Sequence, residues 1–155
     1  MCDVLQSAGY LTSTYELTSA GTLLRSIYCE TDLICAEAIR EHAWDGLTPA
    51  ELAAVASAIT GESRKDTDHY WPPAQTEVLA DTYTDTQRIA RDIHHLENDH
   101  ELLLSRPLYG GLTTAVFQWA NGATLEECLT LAKMFGLSIT PVSYTHLTLP
   151  TTPYV

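Results

Sequence analysis

An all-α helical bundle is the fold class this sequence predicts, on three observations. Two segments open with complete capping boxes, Thr48-Pro49-Ala50-Glu51 and Thr124-Leu125-Glu126-Glu127. Apolar residues behind those boxes, and through most of the intervening chain, recur at spacings of three and four. Only residues 10–17 read as strand, and they are too short to found a sheet.

Taken in order, residues 1–17 read as the last turns of a helix, with Val4, Leu5 and Ala8 apolar and Gly9 closing it, then two short strands around a Thr-Ser turn. That is either a helix followed by a wing or an ordinary N-terminal hairpin. Residues 18–27 suit a short helix with Leu23, Leu24 and Ile27 inward. Thr31 can cap the next helix, which runs to about residue 42, where Cys35, Ala36, Ile39 and Ala43 make a stripe widened by Leu33 and Ile34. Asp32 is explained by the helix dipole in that first turn, and Glu37 stands three residues before Arg40, placed for an intrahelical pair.

Residues 30–66 specify their structure most fully, as two helices joined at a turn. Trp44-Asp45-Gly46-Leu47 breaks the first helix, Gly46 supplying backbone freedom and Trp44 a large surface to bury. The second begins at the Thr48 box with Pro49 in the first helical position, where a missing N–H is harmless. Leu52, Val55, Ala56 and Ile59 fall at i, i+3, i+4 and i+7 and predict its buried face. Glu62 continues that stripe near the helix C-terminus, where the dipole disfavours an anion. Either Arg64 or Lys65 pairs with it, or the last turn opens to solvent, or the carboxylate is held at a channel mouth to meet a ligand's donors.

Residues 63–76, with Tyr70-Trp71-Pro72-Pro73, form a linker within the domain. From about residue 77 to 100, Leu79, Tyr83, Thr86, Ala90, Ile93 and Leu96 mark one long helix, with Arg88 and Asp92 placed for an i, i+4 pair. His94, His95 and Asp99 make a local cluster with metal-ligand chemistry but without a third ligand at motif spacing. A break at 107–111 precedes a helix that Thr113 can cap, with Val116, Trp119 and Ala120 sharing a face. Trp119 is read as core in preference to a platform for a base. The Thr124 box opens a final helix through Lys133, ended by Gly136. Every Asp, Glu, Lys and Arg lies at or before Lys133, and the stretch beyond Ser138 is Thr- and Pro-rich without helical period. Residues 139–155 are therefore read as a non-native tail, translated adapter or vector sequence, with a genuine disordered or binding tail as the alternative.

Composition bounds the function independently. The 155 residues, 45% of them apolar, can bury one ordinary core, and no run approaches the ~18 apolar residues of a membrane helix. Eight Lys and Arg against 20 Asp and Glu give a net charge of −12, which opposes a grip on a phosphate backbone by this chain alone. Cys2, Cys29, Cys35 and Cys128 form no Cys-x-x-Cys pair, and no basic-then-apolar leader opens the sequence, which points to reduced thiols in a cytoplasmic protein. Neither a Gly-x-x-x-x-Gly-Lys-Ser/Thr loop nor an Asp-Glu-x-His box is present, so no catalytic residue is assigned and ATP hydrolysis by this chain alone is not expected.

Two groups of residues also carry a family resemblance. Glu30-Thr31-Asp32-Leu33-Ile34, Ala36-Glu37, the run from Trp44 to Ala54 and Glu62-Ser63-Arg64 resemble the C-terminal helical (DSHCT) domain of superkiller-type DExH-box RNA helicases, most closely the actinobacterial forms. Ala115-Val116-Phe117-Gln118-Trp119-Ala120-Asn121-Gly122-Ala123-Thr124-Leu125-Glu126-Glu127 resembles the same domain's second signature. The resemblance implies that residues 1–19 end a winged-helix domain, as the remnant of its wing, and that 20–138 are a ratchet-type helical domain. The family's next helix, which bears an arginine that meets RNA, has no match after Ser138, so the domain is expected to be C-terminally truncated. Further implications are two RecA-like motor domains in the parent chain that bind ATP and Mg²⁺, single-stranded RNA as partner, and a role for Glu62, which matches a family carboxylate facing the bases. No cofactor is implied for this chain itself. The rival is an acidic helical interaction module that docks on a protein and never meets nucleic acid. A weaker third is a metal-dependent hydrolase built on His94, His95 and Asp99.

Overall fold

The computed structural model describes residues 2–61 and 71–134. Among these, helices α1 (Cys2–Ser7), α2 (Ser19–Leu24), α3 (Asp32–Arg40), α4 (Pro49–Thr60), α5 (Glu77–Asp99), α6 (Thr113–Ala120) and α7 (Leu125–Met134) form the body, with a 3-10 turn at Gly110–Leu112 before α6. No strand forms among the described residues. Helix α3 packs on α5, α4 on α6, and α7 on α6. The main core joins Val4, Tyr10, Ile34, Ala38, Val55, Ile59, Leu79, Ile89 and Ile93, and Ala115, Cys128 and Ala132 form a second cluster under α6 and α7. Each Ile or Val fully buried there contributes roughly 1.5–3 kcal/mol.

Four helices end in the same way. At α1 the N–H of Tyr10 reaches Leu5 O (2.7 Å) and that of Gly9 reaches Gln6 O (3.0 Å), with Gly9 at φ 78°, a Schellman turn. Helix α6 closes likewise through Gly122 (φ 95°), Ala123 N bonding Gln118 O. In α3 and α5 the left-handed position is held by His42 (φ 58°) and Glu101 (φ 54°), residues whose Cβ makes that conformation costly. The segment from Tyr10 to Leu17 forms one isolated antiparallel bridge, Leu11 to Leu17, in place of the two strands expected. Its turn closes too tightly for a ladder: Thr12 N bonds Glu16 O, Tyr15 N bonds Thr12 O, and Tyr15 takes φ 62°.

Helix starts agree closely with the sequence and buried faces less so. Thr18 caps α2, Thr76 caps α5, and both capping boxes form, at Thr48/Glu51 and Thr124/Glu127. Thr113 is instead the first residue of α6, its hydroxyl donating to Gly110 O. The buried face of α4 is Ala54, Val55, Ala58 and Ile59 with Glu51, while Leu52 is 45% exposed. In α3 the face is Leu33, Ile34, Ala36 and Ala38, leaving Ile39 40% exposed. Trp119, expected in the core, is 64% exposed, because α6 turns Thr113 and Ala115 inward instead. The long helix is as expected: Arg88 meets Asp92 at 3.4 Å, and also reaches Glu41 on the neighbouring segment at 2.6 Å. Trp44 is bound to that helix through its indole N–H and the Thr86 hydroxyl (3.1 Å).

Two of these helix ends bear on stability. The Glu51 carboxylate accepts from the Thr76 hydroxyl, and from the backbone N–H and hydroxyl of Thr48, both at 2.8 Å. These bonds, that of Thr76 foremost, hold its carboxyl below the usual carboxylate range. A depressed folded-state pKa gives stability that is complete above the unfolded value of ~4.3 and lost as pH falls through the folded value. Glu51→Gln is therefore expected to be less stable than the parent at pH 7, the gap in urea midpoint narrowing below about pH 4. Glu101→Gly, which removes the left-handed penalty, is expected to raise stability by about 0.5–1 kcal/mol in the same assay.

Candidate functional site

The last carbonyls of an α-helix have no partner within it and must find donors elsewhere. In α4 the donors come from both sides of the sequence. Ser57 O takes the N–H of Gly61 (2.9 Å), Ala58 O takes that of Tyr109 (2.9 Å), and Ile59 O takes the Thr31 hydroxyl (3.2 Å) and Arg106 Nη2 (3.4 Å). Thr31 stands at the N-cap of α3 but makes no side-chain cap there; only 1% exposed, it crosses to α4 instead. Arg106 also faces Glu30, Nε to Oε2 at 3.5 Å.

Gly61 leaves the helix in an extended conformation (φ −68°, ψ 148°) and is itself buried. A Cβ there would lie 2.5 Å from Ser57 O and 3.2 Å from the Tyr109 ring. On the far side of residues 62–70, Trp71 lies over Gly110 and packs edge-on against Tyr83 at 4.9 Å between ring centroids. Residues 61 and 71 are thus both anchored on the stretch 109–112. The helical period that sets Glu62 on the α4 stripe ends at Thr60; Glu62 itself, with Arg64 and Lys65, lies outside the described residues. So do Gly136 and the 139–155 tail.

Beside this frame runs a cleft of about 570 Å³, walled by Leu5, Leu24, Leu33 and Leu102, with Glu30 and Arg106 shared between cleft and frame. Its outer wall is the extended strap after α5. The strap is held by Glu97, whose buried carboxylate accepts from the Ser105 N–H (2.8 Å) and from the Ser105 hydroxyl. These groups can bind, orient and pair; no nucleophile stands against a general base in them.

The remaining sequence-derived residues are scattered. His95 and Asp99 are exposed, His94 is half-buried with Nε2 enclosed, and among the described residues no three His, Cys, Asp or Glu side chains gather as a metal-holding group. Glu37 pairs with Arg40 (2.8 Å) as the spacing indicates, and Arg40 also donates to Ala8 O and lies over the Tyr10 ring. The four cysteines are free thiols, and burial pushes that of Cys35 up to about 11. No helix among the described residues is long and apolar enough to cross a membrane. Sequence reasoning missed Arg106 and the role of Thr31, because each acts on a carbonyl 28 or 47 residues away, where no local spacing marks it.

The profile of the DSHCT (NUC185) domain matches residues 14–139. The chain is similar to "Probable helicase HelY" of Mycobacterium leprae (strain TN), 37% identical over 124 residues, 78% of this chain and 14% of that protein. It is 34% identical over 123 residues to "Probable helicase HelY" of Mycobacterium tuberculosis, again 14% of the relative, and 26% identical over 141 residues to "mRNA transport homolog 4" of Caenorhabditis elegans, 88% of this chain and 13% of that one. The chain thus spans about one seventh of the curated relatives it matches. Gly61→Ala is expected to destabilise the fold by about 1–3 kcal/mol, since neither the Ser57 carbonyl nor the Tyr109 ring can yield without opening the end of α4, and thermal unfolding measures it.

Proposed function

This chain belongs to the DSHCT (NUC185) domain family, and from that premise we propose that it is the helical C-terminal domain of a longer ATP-dependent DExH-box RNA helicase. In that parent it lines the path of single-stranded RNA and assists unwinding or translocation. The observation that carries the reading is the family match over residues 14–139, together with relatives about seven times longer whose names say helicase. A domain of this size without nucleotide-binding motifs suits a wall or ratchet better than a motor. The motor would be RecA-like domains of the same parent chain holding ATP and Mg²⁺, joined through a winged-helix domain whose end is residues 1–19.

Net charge is compatible with this role when the motor domains neutralise phosphates and this wall meets bases by stacking and hydrogen bonding. Glu62 is the residue proposed to meet them. The frame at the end of α4 supports that reading, because Gly61, the residue before Glu62, is held by its N–H to the Ser57 carbonyl and is packed close to the Tyr109 ring. The alternative, an acidic module that docks on a protein, draws on the same charge and on the exposed Trp119.

The two readings part in the complete parent protein. With Glu62→Ala, the RNA concentration for half-maximal ATPase activity is expected to rise about 10- to 150-fold, as loss of a hydrogen bond to a charged group costs roughly 1.5–3 kcal/mol. RNA-free ATPase and thermal midpoint are expected to stay unchanged. An unaltered RNA dependence would leave the docking module as the better description.

A further inference from the structure

We propose that the cleft bounded by α1, α2, the start of α3 and the strap after α5 is a docking groove for a short segment of a partner protein that combines leucine-like side chains with lysine or arginine. Such docking is independent of any contact with RNA and involves only described residues. The floor is apolar: Val4 and Leu33 are buried, and Leu5, Leu24 and Leu102 are partly so. At about 570 Å³ the cleft has room for several apolar side chains. On its outer wall Leu103 is 97% exposed and Leu104 49%, two neighbouring leucines left in water beside an apolar floor.

The strap does not need leucines at those positions for its own sake. It is pinned before them by the Leu102 N–H on Glu97 O (2.9 Å) and after them by Ser105 on the Glu97 carboxylate and the Tyr109 N–H on Ala58 O. Between these pins a polar pair would connect α5 to α6 equally well. A contiguous apolar surface of this kind gains by burial only when something is laid over it. Charge selects what that is. Glu30, Asp32 and Glu97 line the cleft against one cation, Arg106, which already faces Glu30 at 3.5 Å. Glu30 is 73% exposed, at the rim where an incoming ammonium or guanidinium could reach it. Three carboxylates against one guanidinium, in a chain of net charge −12, favour a basic segment over an acidic one and over a phosphate backbone. The same charge sets a second copy of this chain against the first.

The test is fluorescence anisotropy of the full chain with a labelled peptide of alternating leucine and lysine. A serine–lysine peptide, a leucine–glutamate peptide and a single-stranded oligouridine serve as comparison ligands. The leucine–lysine peptide is expected to bind saturably, and its affinity to fall about tenfold with Leu103→Ser and about two- to fivefold with Glu30→Gln. Leu125→Ser, at an exposed position of α7 outside the cleft, is expected to leave it unchanged. Because Leu103 is almost wholly in solvent, its replacement is expected to leave the thermal midpoint in place, so that lost affinity is not lost fold. Failure of the leucine–lysine peptide to bind, or an affinity indifferent to Leu103→Ser, overturns the proposal. Equal binding of the serine–lysine peptide would reduce the interaction to bulk charge, and equal binding of the leucine–glutamate peptide or tighter binding of the oligouridine would remove the charge argument; each of these overturns it too. Sedimentation of the chain alone and deletion of residues 139–155 address the other occupants. A dimer dissolved by Leu103→Ser would assign the cleft to a second copy, and a deletion that raised peptide affinity would assign it to that segment, either result overturning the partner-protein reading.

Discussion

The carbonyl groups at the end of α4 are the constraint on which the rest of this structure depends. A helix end buried without donors would be penalised by about 1–3 kcal/mol per group. Here the donors are recruited from the start of α3, from the strap after α5 and from the turn before α6. Satisfying them fixes where those three segments lie. The other contacts are built around them: α3 lies against α5, the strap is clamped by Glu97 and Ser105, and Trp71 covers Gly110, where only a glycine leaves room for the indole.

Helix starts were legible in the sequence because they are local. A cap needs an acceptor and a backbone N–H two or three residues on, so Thr48 and Thr124 could be paired with their helices on spacing alone, whereas Thr31 and Thr113, read as caps too, turn their hydroxyls to the Ile59 and Gly110 carbonyls. The Gly9 and Gly122 ends were legible for the same reason. The ends at His42 and Glu101 were not, since nothing in a histidine or glutamate announces a left-handed backbone.

Buried faces were read less well, and the errors share one cause. In α4 and α3 several apolar stripes fit a helical period, and the residue that decides between them is on another helix. Leu52 and Ile39 are apolar and correctly spaced, yet the sides that are buried bear Ala54 with Ala58 in α4 and Ala36 with Ala38 in α3, where small side chains admit close approach. Trp119 failed likewise: size argued for burial, and Ala115 took the inward place. The site was legible only as far as the family signature reached. Glu62 was matched by resemblance and lies outside the described residues, whereas the bonds from Thr31 and Arg106 to the Ile59 carbonyl were visible only once the chain was folded.

The junction also spans long distances along the chain. Helices α3, α4 and α5 can each form from local contacts, which are fast to make. The Ile59 carbonyl, however, joins a residue 28 positions upstream to one 47 positions downstream. It is satisfied only by side chains that lie far from it in the sequence. The fold is thus local in its helices and non-local at this junction.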